Sequence, residues 1–304
     1  MSESIIDIRM SFKHQLEYGL LLFFVWLVRH LPRSLAYSSL ENVTLFAHQI
    51  IGWRKQNTKD RISEVCDSLD KKKQTWIRKE AARNLGRSLT ELIRPTDTPD
   101  VTSEGMEETF DAFRTAREKG KGVLLVILHS GNWDMAGTQT IKEGFPICFI
   151  ARKQKNKRTY DMLAKVREKN QGMLVDRDDP RLIRKLLGFL AQNGIVVILV
   201  DIRARQSGDS YHYLGKKAWL ANGLGLLAAK SGAEVVPVHL GRKGRDLHVW
   251  KPLPARRLSP GNTNKTARKE LLQSCLDDLG AEVLKNPESY FWFNKRWVLQ
   301  PFGE

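Results

Sequence analysis

From residue 123 onward, short unbroken apolar runs of strand length alternate with amphipathic stretches. The runs are VLLVIL (123–128), FPICFI (145–150), IVVILV (195–200) and EVVPVHL (234–240), rich in β-branched and aromatic residues. A strand that reads as a continuous apolar run is covered on both faces, so these four predict a mainly parallel central sheet flanked by helices, an α/β fold. Between them, DPRLIRKLLGFLAQNG (179–194) has a helical period, with Asp179 and Pro180 at its start and Gly194 at its end. NGLGLLAAKSG (222–232) reads as a helix that Gly232 stops.

The first hundred residues read as helices: YGLLLFFVWLV (18–28), LAYSSLENVTLFAHQIIGW (35–53) and KKQTWIRKEAARNLGRSLTELIR (72–94), the last stopped by Pro95. The wholly apolar run Tyr18–Val28 would rise only about 16 Å as a helix, against a hydrocarbon core of roughly 30 Å. Polar flanks, Lys13, His14 and Gln15 before it and Arg29 and His30 after it, suit a helix lying in a membrane interface. A buried core helix is the alternative. No small-residue cleavage pattern follows the run, which disfavours a cleaved secretory signal. The expected organisation is a membrane-associating helical segment over 1–45 and an α/β domain over 46–304.

Charge adds a partner class. Fifty Lys and Arg against 34 Asp and Glu give a formal +16, a surface that seeks polyanions, anionic membranes or acidic proteins. No aromatic residues interleave a basic stripe, so nucleic acid ranks below an anionic lipid as partner. Cys66, Cys148 and Cys275 are widely spaced and form no zinc or disulfide pattern, which fits a reducing, cytoplasmic-side environment and simple packing roles. Neither a phosphate loop nor a dinucleotide fingerprint occurs, so nucleotide-dependent chemistry has no sequence support.

Candidate chemistry lies at strand ends. His129 follows VLLVIL and Asp201 follows IVVILV, and ligands of such sheets bind beyond the carboxyl ends of the strands. In HSGNWD (129–134), Asp134 stands five residues after His129, about 140° around a single helix. The pair therefore works together only with the histidine on a turn and the aspartate in the first turn of the next helix. Asn132 is the expected cap and Gly131 the residue that permits an unusual backbone. A carboxylate on one imidazole nitrogen lets the other act as general base, and either Asp134 or Asp201 fits that part. Ser130 offers a serine-hydrolase alternative without the G-x-S-x-G elbow. A non-catalytic basic protein that binds membranes or nucleic acid is a third reading. Basic residues Arg152, Lys153, Lys155, Lys157 and Arg158 follow one strand, and Arg203 and Arg205 follow Asp201, a supply of groups suited to phosphate.

HSGNWD resembles the H-x-x-x-x-[DE] motif of the bacterial lysophospholipid acyltransferase superfamily, in its lipid A late acyltransferase and phosphatidylinositol mannoside acyltransferase branch. The likeness extends to RNLGRSLTELIR (83–94), the basic segment 152–179, the stretch 197–238 and PESYFWFNKRW (287–297). Two departures stand out: Ile202 replaces a usually polar residue after Asp201, and the turn reads YLG (213–215) where an aromatic pair with Gly is usual.

That resemblance implies an acyltransferase at the cytoplasmic face of the inner membrane, moving a fatty acyl chain to a lipid A-type glycolipid hydroxyl, with a lysophospholipid or another glycolipid as the alternative acceptor. The implied donor is an acyl carrier protein or coenzyme A thioester, with no cofactor or metal needed. His129 is the implied base, with Asp134 its motif partner and Asp201 at a position where some members carry a pairing Glu. Arg152, Asn156, Lys157 and Arg167, with Arg203, fall where the family's basic groups would meet phosphate or donor.

Overall fold

Alternate residues of VLLVIL face opposite ways, and both sets are buried. Leu124, Val126 and Leu128 pack on one side of the sheet, and Val123, Leu125 and Ile127 on the other. The computed structural model describes residues 12–94, 102–151, 172–204, 208–259, 261–262 and 264–299. The run forms β2 (Val123–Ile127), and IVVILV forms β5 (Ile195–Leu199). FPICFI yields β3 (Ile147–Ala151), while EVVPVHL forms a longer strand, β8 (Glu234–Lys243).

Three further strands complete the main sheet: β1 (Ser103–Glu104), β4 (Met173–Asp176) and β9 (Leu247–Pro252), in the order β1-β9-β8-β2-β5-β3-β4. Neighbours pair in parallel except β8 and β9, which form an antiparallel hairpin, so the sheet is mainly parallel as expected. Outside it, β6 (Asp209–Tyr213) and β7 (Lys216–Leu220) form a separate hairpin. Its turn is YLG, and both Leu214 and Gly215 have positive φ, the backbone that a tight hairpin turn demands.

Helices cover both faces. On one side lie α5 (Met106–Glu118) and α6 (Trp133–Lys142), which contribute Phe110, Phe113 and Ala136 to the core. The opposite side carries α7 (Leu182–Ala191), α8 (Gly223–Ser231) and α9 (Lys265–Lys285), with Leu186, Leu227 and Leu276 buried. All three cysteines are unpaired thiols in the core, and burial pushes Cys148 and Cys275 up to about 12.

The N-terminal third supplies α1 (Phe12–His30), α2 (Arg33–Gln49), α3 (Lys55–Val65) and α4 (Lys71–Ile93). Asp70 caps α4 by accepting from the Lys73 N–H at 2.7 Å. The expected helix over 35–53 stops short, and the chain turns through Ile50–Trp53 with Gly52 in the left-handed region. In α1, Val28 is buried against Ala36 and Leu40, whereas Phe23 and Trp26 stay exposed. No described helix is long and apolar enough to cross a membrane.

Where α2 crosses α4, a Cβ on Gly86 would lie 2.4 Å from the Leu40 carbonyl oxygen. Gly86→Ala should therefore force the helices apart and lower unfolding free energy by about 1–3 kcal/mol, read from denaturant midpoints.

Candidate active site

Register alone brings the two strand-end residues together. Ile127 pairs with Leu199 in the β2–β5 ladder, and two steps further along both strands stand His129 and Asp201. His129 Nδ1 lies 2.8 Å from Asp201 Oδ1, and the His129 backbone N–H donates to Oδ2 at 3.0 Å. An ionised carboxylate only accepts, so Nδ1 carries its hydrogen and the neutral ring presents a lone pair at Nε2. No other hydrogen bond engages the ring among the described residues, and the side chain is 20% exposed.

Burial by itself would push His129 below the ordinary histidine range. The Asp201 charge and hydrogen bond outweigh it and hold the imidazole above that range, with a smaller contribution from Asp134. For Asp201 burial pulls upward, and the His129 charge with the donors around it holds the carboxyl below its ordinary value. Aromatic rings frame the imidazole: Trp133 edge-on at 5.1 Å and Phe291 at 6.3 Å between centroids. They limit the water that reaches it.

Asp134 sits in the first turn of α6 and Asn132 is its N-cap, accepting from the Met135 N–H at 3.1 Å, both as the spacing predicted. Gly131 has φ 60°, and a Cβ there would meet the Leu240–Gly241 backbone at 2.9 Å. The carboxylate that bonds His129 is Asp201. Ser130 is buried and its hydroxyl donates to the Ser289 carbonyl, with no hydrogen bond to His129, an arrangement unlike an activated nucleophile. Arg203 stands two residues beyond Asp201, its backbone bridged to Leu220. Arg152, Asn156, Lys157 and Arg167 lie outside the described residues.

Several supporting residues went unrecognised from the sequence. The segment after α9 crosses the motif: Gly131 N–H donates to Ser289 O and Phe291 N–H to His129 O, at 2.9 and 2.8 Å. This brings the buried Tyr290 hydroxyl to Asp201 Oδ2 at 3.0 Å. Burial and the adjacent Asp201 charge hold the phenol well above its usual range, so it remains a donor. Tyr290→Phe removes a hydrogen bond to a buried charge and should cost about 1.5–3 kcal/mol of stability by urea unfolding.

Beneath the motif, Glu91 of α4 forms a two-bond ion pair with Arg242 of β8, at 2.9 and 2.7 Å. Both side chains are 1% exposed. The same carboxylate accepts from Asn132 Nδ2 at 2.5 Å and from Tyr37 OH at 3.0 Å, and lies 3.1 Å from His248 Nε2. Burial raises Glu91, but His248 and Arg242 overcome it and hold the carboxyl well below the usual carboxylate range. Glu91 lies in the RNLGRSLTELIR segment and Tyr290 in PESYFWFNKRW, so sequence signals existed for those two. Arg242 and His248 carried none.

An α/β sheet with a histidine–aspartate pair at its carboxyl edge, the histidine opening an H-x-x-x-x-D motif, presents an imidazole held by a carboxylate where ligands of such sheets bind. A family profile of bacterial lipid A biosynthesis acyltransferases matches residues 8–298, and the chain belongs to that family. It is also similar to the phosphatidylinositol mannoside acyltransferase of Mycolicibacterium smegmatis (strain ATCC 700084 / mc(2)155), 23% identical over 190 residues, covering 62% of this chain and 60% of that protein. The protein of the same name from Mycobacterium tuberculosis (strain CDC 1551 / Oshkosh) is 22% identical, with 62% and 58% covered. The matched region thus spans about 60% of the length of these curated relatives.

Proposed function

We propose that the chain is a membrane-associated acyltransferase that carries a fatty acyl group from a thioester to a hydroxyl of an anionic glycolipid. The observation that carries this reading is the His129–Asp201 pair, which orients the ring and leaves Nε2 open beside the aromatic frame. Nε2 takes the acceptor hydroxyl proton as the oxygen attacks the thioester carbonyl, and Asp201 steadies the imidazolium. Collapse of the tetrahedral intermediate breaks the C–S bond, and the imidazolium returns its proton to the departing thiolate. Backbone N–H groups at the amino end of α6 and nearby guanidinium groups supply positive charge for the oxyanion. Asp134 adds a second negative charge near the imidazolium without bonding His129.

The donor is an acyl carrier protein or coenzyme A thioester, and the net charge of +16 suits either an acidic carrier or an anionic leaflet. The acceptor is a lipid A-type glycolipid, with phosphatidylinositol mannoside the alternative that the relatives' name introduces. Exposed apolar side chains on α1, α2 and the following turn, among them Phe23, Trp26, Phe46, Ile50, Ile51 and Trp53, support peripheral seating on the cytoplasmic leaflet of the inner membrane.

The test is mass spectrometry of membrane lipids from cells making the active chain or its His129→Ala variant. One lipid differing by the mass of one acyl chain is the expected result. Identical lipid profiles, with both proteins folded and present, would overturn the function.

A further inference from the structure

The β6–β7 hairpin carries a second phenol into the core near Asp201. Strand β6 buries Tyr211 and Tyr213 and leaves His212 between them exposed, and the turn that follows runs through Leu214 and Gly215, both at positive φ. The Tyr213 ring packs against α9 at Gly280, where an added Cβ would stand 3.5 Å from it. Its hydroxyl is buried and makes no well-aligned hydrogen bond among the described residues. A buried hydroxyl left in that state opposes folding unless an acceptor is at hand. The polar groups that act on it are the Tyr290 hydroxyl and the Asp201 charge. Tyr290 spends its one O–H on Asp201 Oδ2, at 3.0 Å, and the lone pairs of its oxygen are the acceptor open to Tyr213.

We propose that Tyr213 is a positioning residue for the general base: its hydroxyl donates to Tyr290, and through Tyr290 and Asp201 it governs how tightly the His129 ring holds a proton. The proposal rests on the acyl-transfer reading, in which that ring must be neutral to take the acceptor's proton.

Burial and the Asp201 charge hold both phenols well above their usual range, so each keeps its proton and remains a donor. The direction of the line follows: Tyr213 to Tyr290, Tyr290 to Asp201, with Asp201 also accepting from His129 Nδ1. Each bond in such a line polarises the next. A stronger donor on Oδ2 draws charge away from Oδ1, and the carboxylate then steadies the imidazolium less. The two phenols thereby restrain a pair that would otherwise favour the protonated ring. Other charges face the same groups: Asp134 acts on His129, Arg61 on Tyr290, and Arg177, Arg203, Lys295 and Arg296 line the cleft at Asp201. All of them stay when a tyrosine becomes a phenylalanine, so differences between such variants report the line itself.

The test is an NMR titration of the full chain labelled with ¹⁵N-histidine, the His129 signals being identified by their loss in His129→Ala. Tyr290→Phe should raise the His129 midpoint by about 0.5–1 pH unit, and Tyr213→Phe should raise it by about a third of that amount. The double variant should titrate with Tyr290→Phe alone, because Tyr213 acts only through Tyr290. A Tyr213→Phe midpoint equal to the parent's, or shifts that add in the double variant, would overturn the proposal. A purely structural Tyr213 would move the unfolding midpoint and leave the titration in place, which also overturns it. Should Tyr290→Phe not fold, the Tyr213→Phe titration decides alone, since it removes a hydroxyl that is not bonded to His129. Because the titration is read without turnover, the expected shifts in a chain that acylates no lipid would uphold the line and overturn the assigned reaction instead.

Discussion

His129→Ala is expected to lower single-turnover acyl transfer by about 10²- to 10⁴-fold while leaving the fold intact, the usual worth of a positioned general base. The fold survives because Asp201 keeps the Tyr290 hydroxyl and the backbone N–H of residue 129 as donors. Near-normal turnover in a folded variant would remove His129 from the mechanism. The pH profile provides a second readout. The proposed general-base step needs the neutral ring, and Asp201 holds the imidazole above the ordinary value of about 6.5. The rising limb of rate against pH should then lie on the alkaline side of that value. Asp201→Asn removes the opposing charge and leaves burial to dominate, so the limb should move to the acid side while the rate falls. A limb that stays in place would show that the pair does not set it. The pair's contribution to stability is bounded on both sides: the His129 part, complete below the unfolded histidine pKa, is lost as pH rises through the raised folded value, and the Asp201 part is lost as pH falls through its depressed value.

Glu91→Ala should be the most damaging substitution for stability. It strands the Arg242 guanidinium in the core and removes partners from Asn132, Tyr37 and His248 together. Breaking one side of a buried pair costs about 3–5 kcal/mol, a large part of the net stability of a domain. Equilibrium denaturation is the measurement, and a cost within experimental error would mean that water or another anion takes over the site. Glu91 is ionised with a depressed pKa, so its contribution is present above the unfolded carboxylate value of about 4.3 and is lost as pH falls. Asn132, released from Glu91, would loosen the cap of α6 and with it the turn that aims His129. Single-turnover acyl transfer should fall in parallel with stability.

Much of this organisation was legible in one dimension. Strand-length apolar runs identified β2, β3, β5 and β8 because a strand buried on both faces carries no polar alternation. The remaining strands escaped for the converse reason. β6 (DSYHY), β7 (KKAWL) and β9 (LHVWKP) mix charges with apolar residues, as half-exposed hairpin strands do, and β4 is only four residues long. The turn-and-cap reading of HSGNWD was equally local, since Gly131, Asn132 and Asp134 act within one turn of the backbone.

Sequence by itself therefore determined an α/β chain with a histidine and an aspartate at the ends of two strands, and a set of motifs that together resemble one family. It left open which carboxylate serves His129, because the choice depends on which strands are neighbours and in what register. Only the pairing of Ile127 with Leu199 sets His129 beside Asp201 and leaves Asp134 to the amino end of α6. The same holds for Tyr290, Glu91 and Arg242, which reach the site across 89, 41 and 151 residues of intervening separation from their partners Asp201, Asn132 and Glu91. Bonds of that span follow from how the sheet, α4 and the C-terminal segment pack, and no local pattern in the chain encodes them.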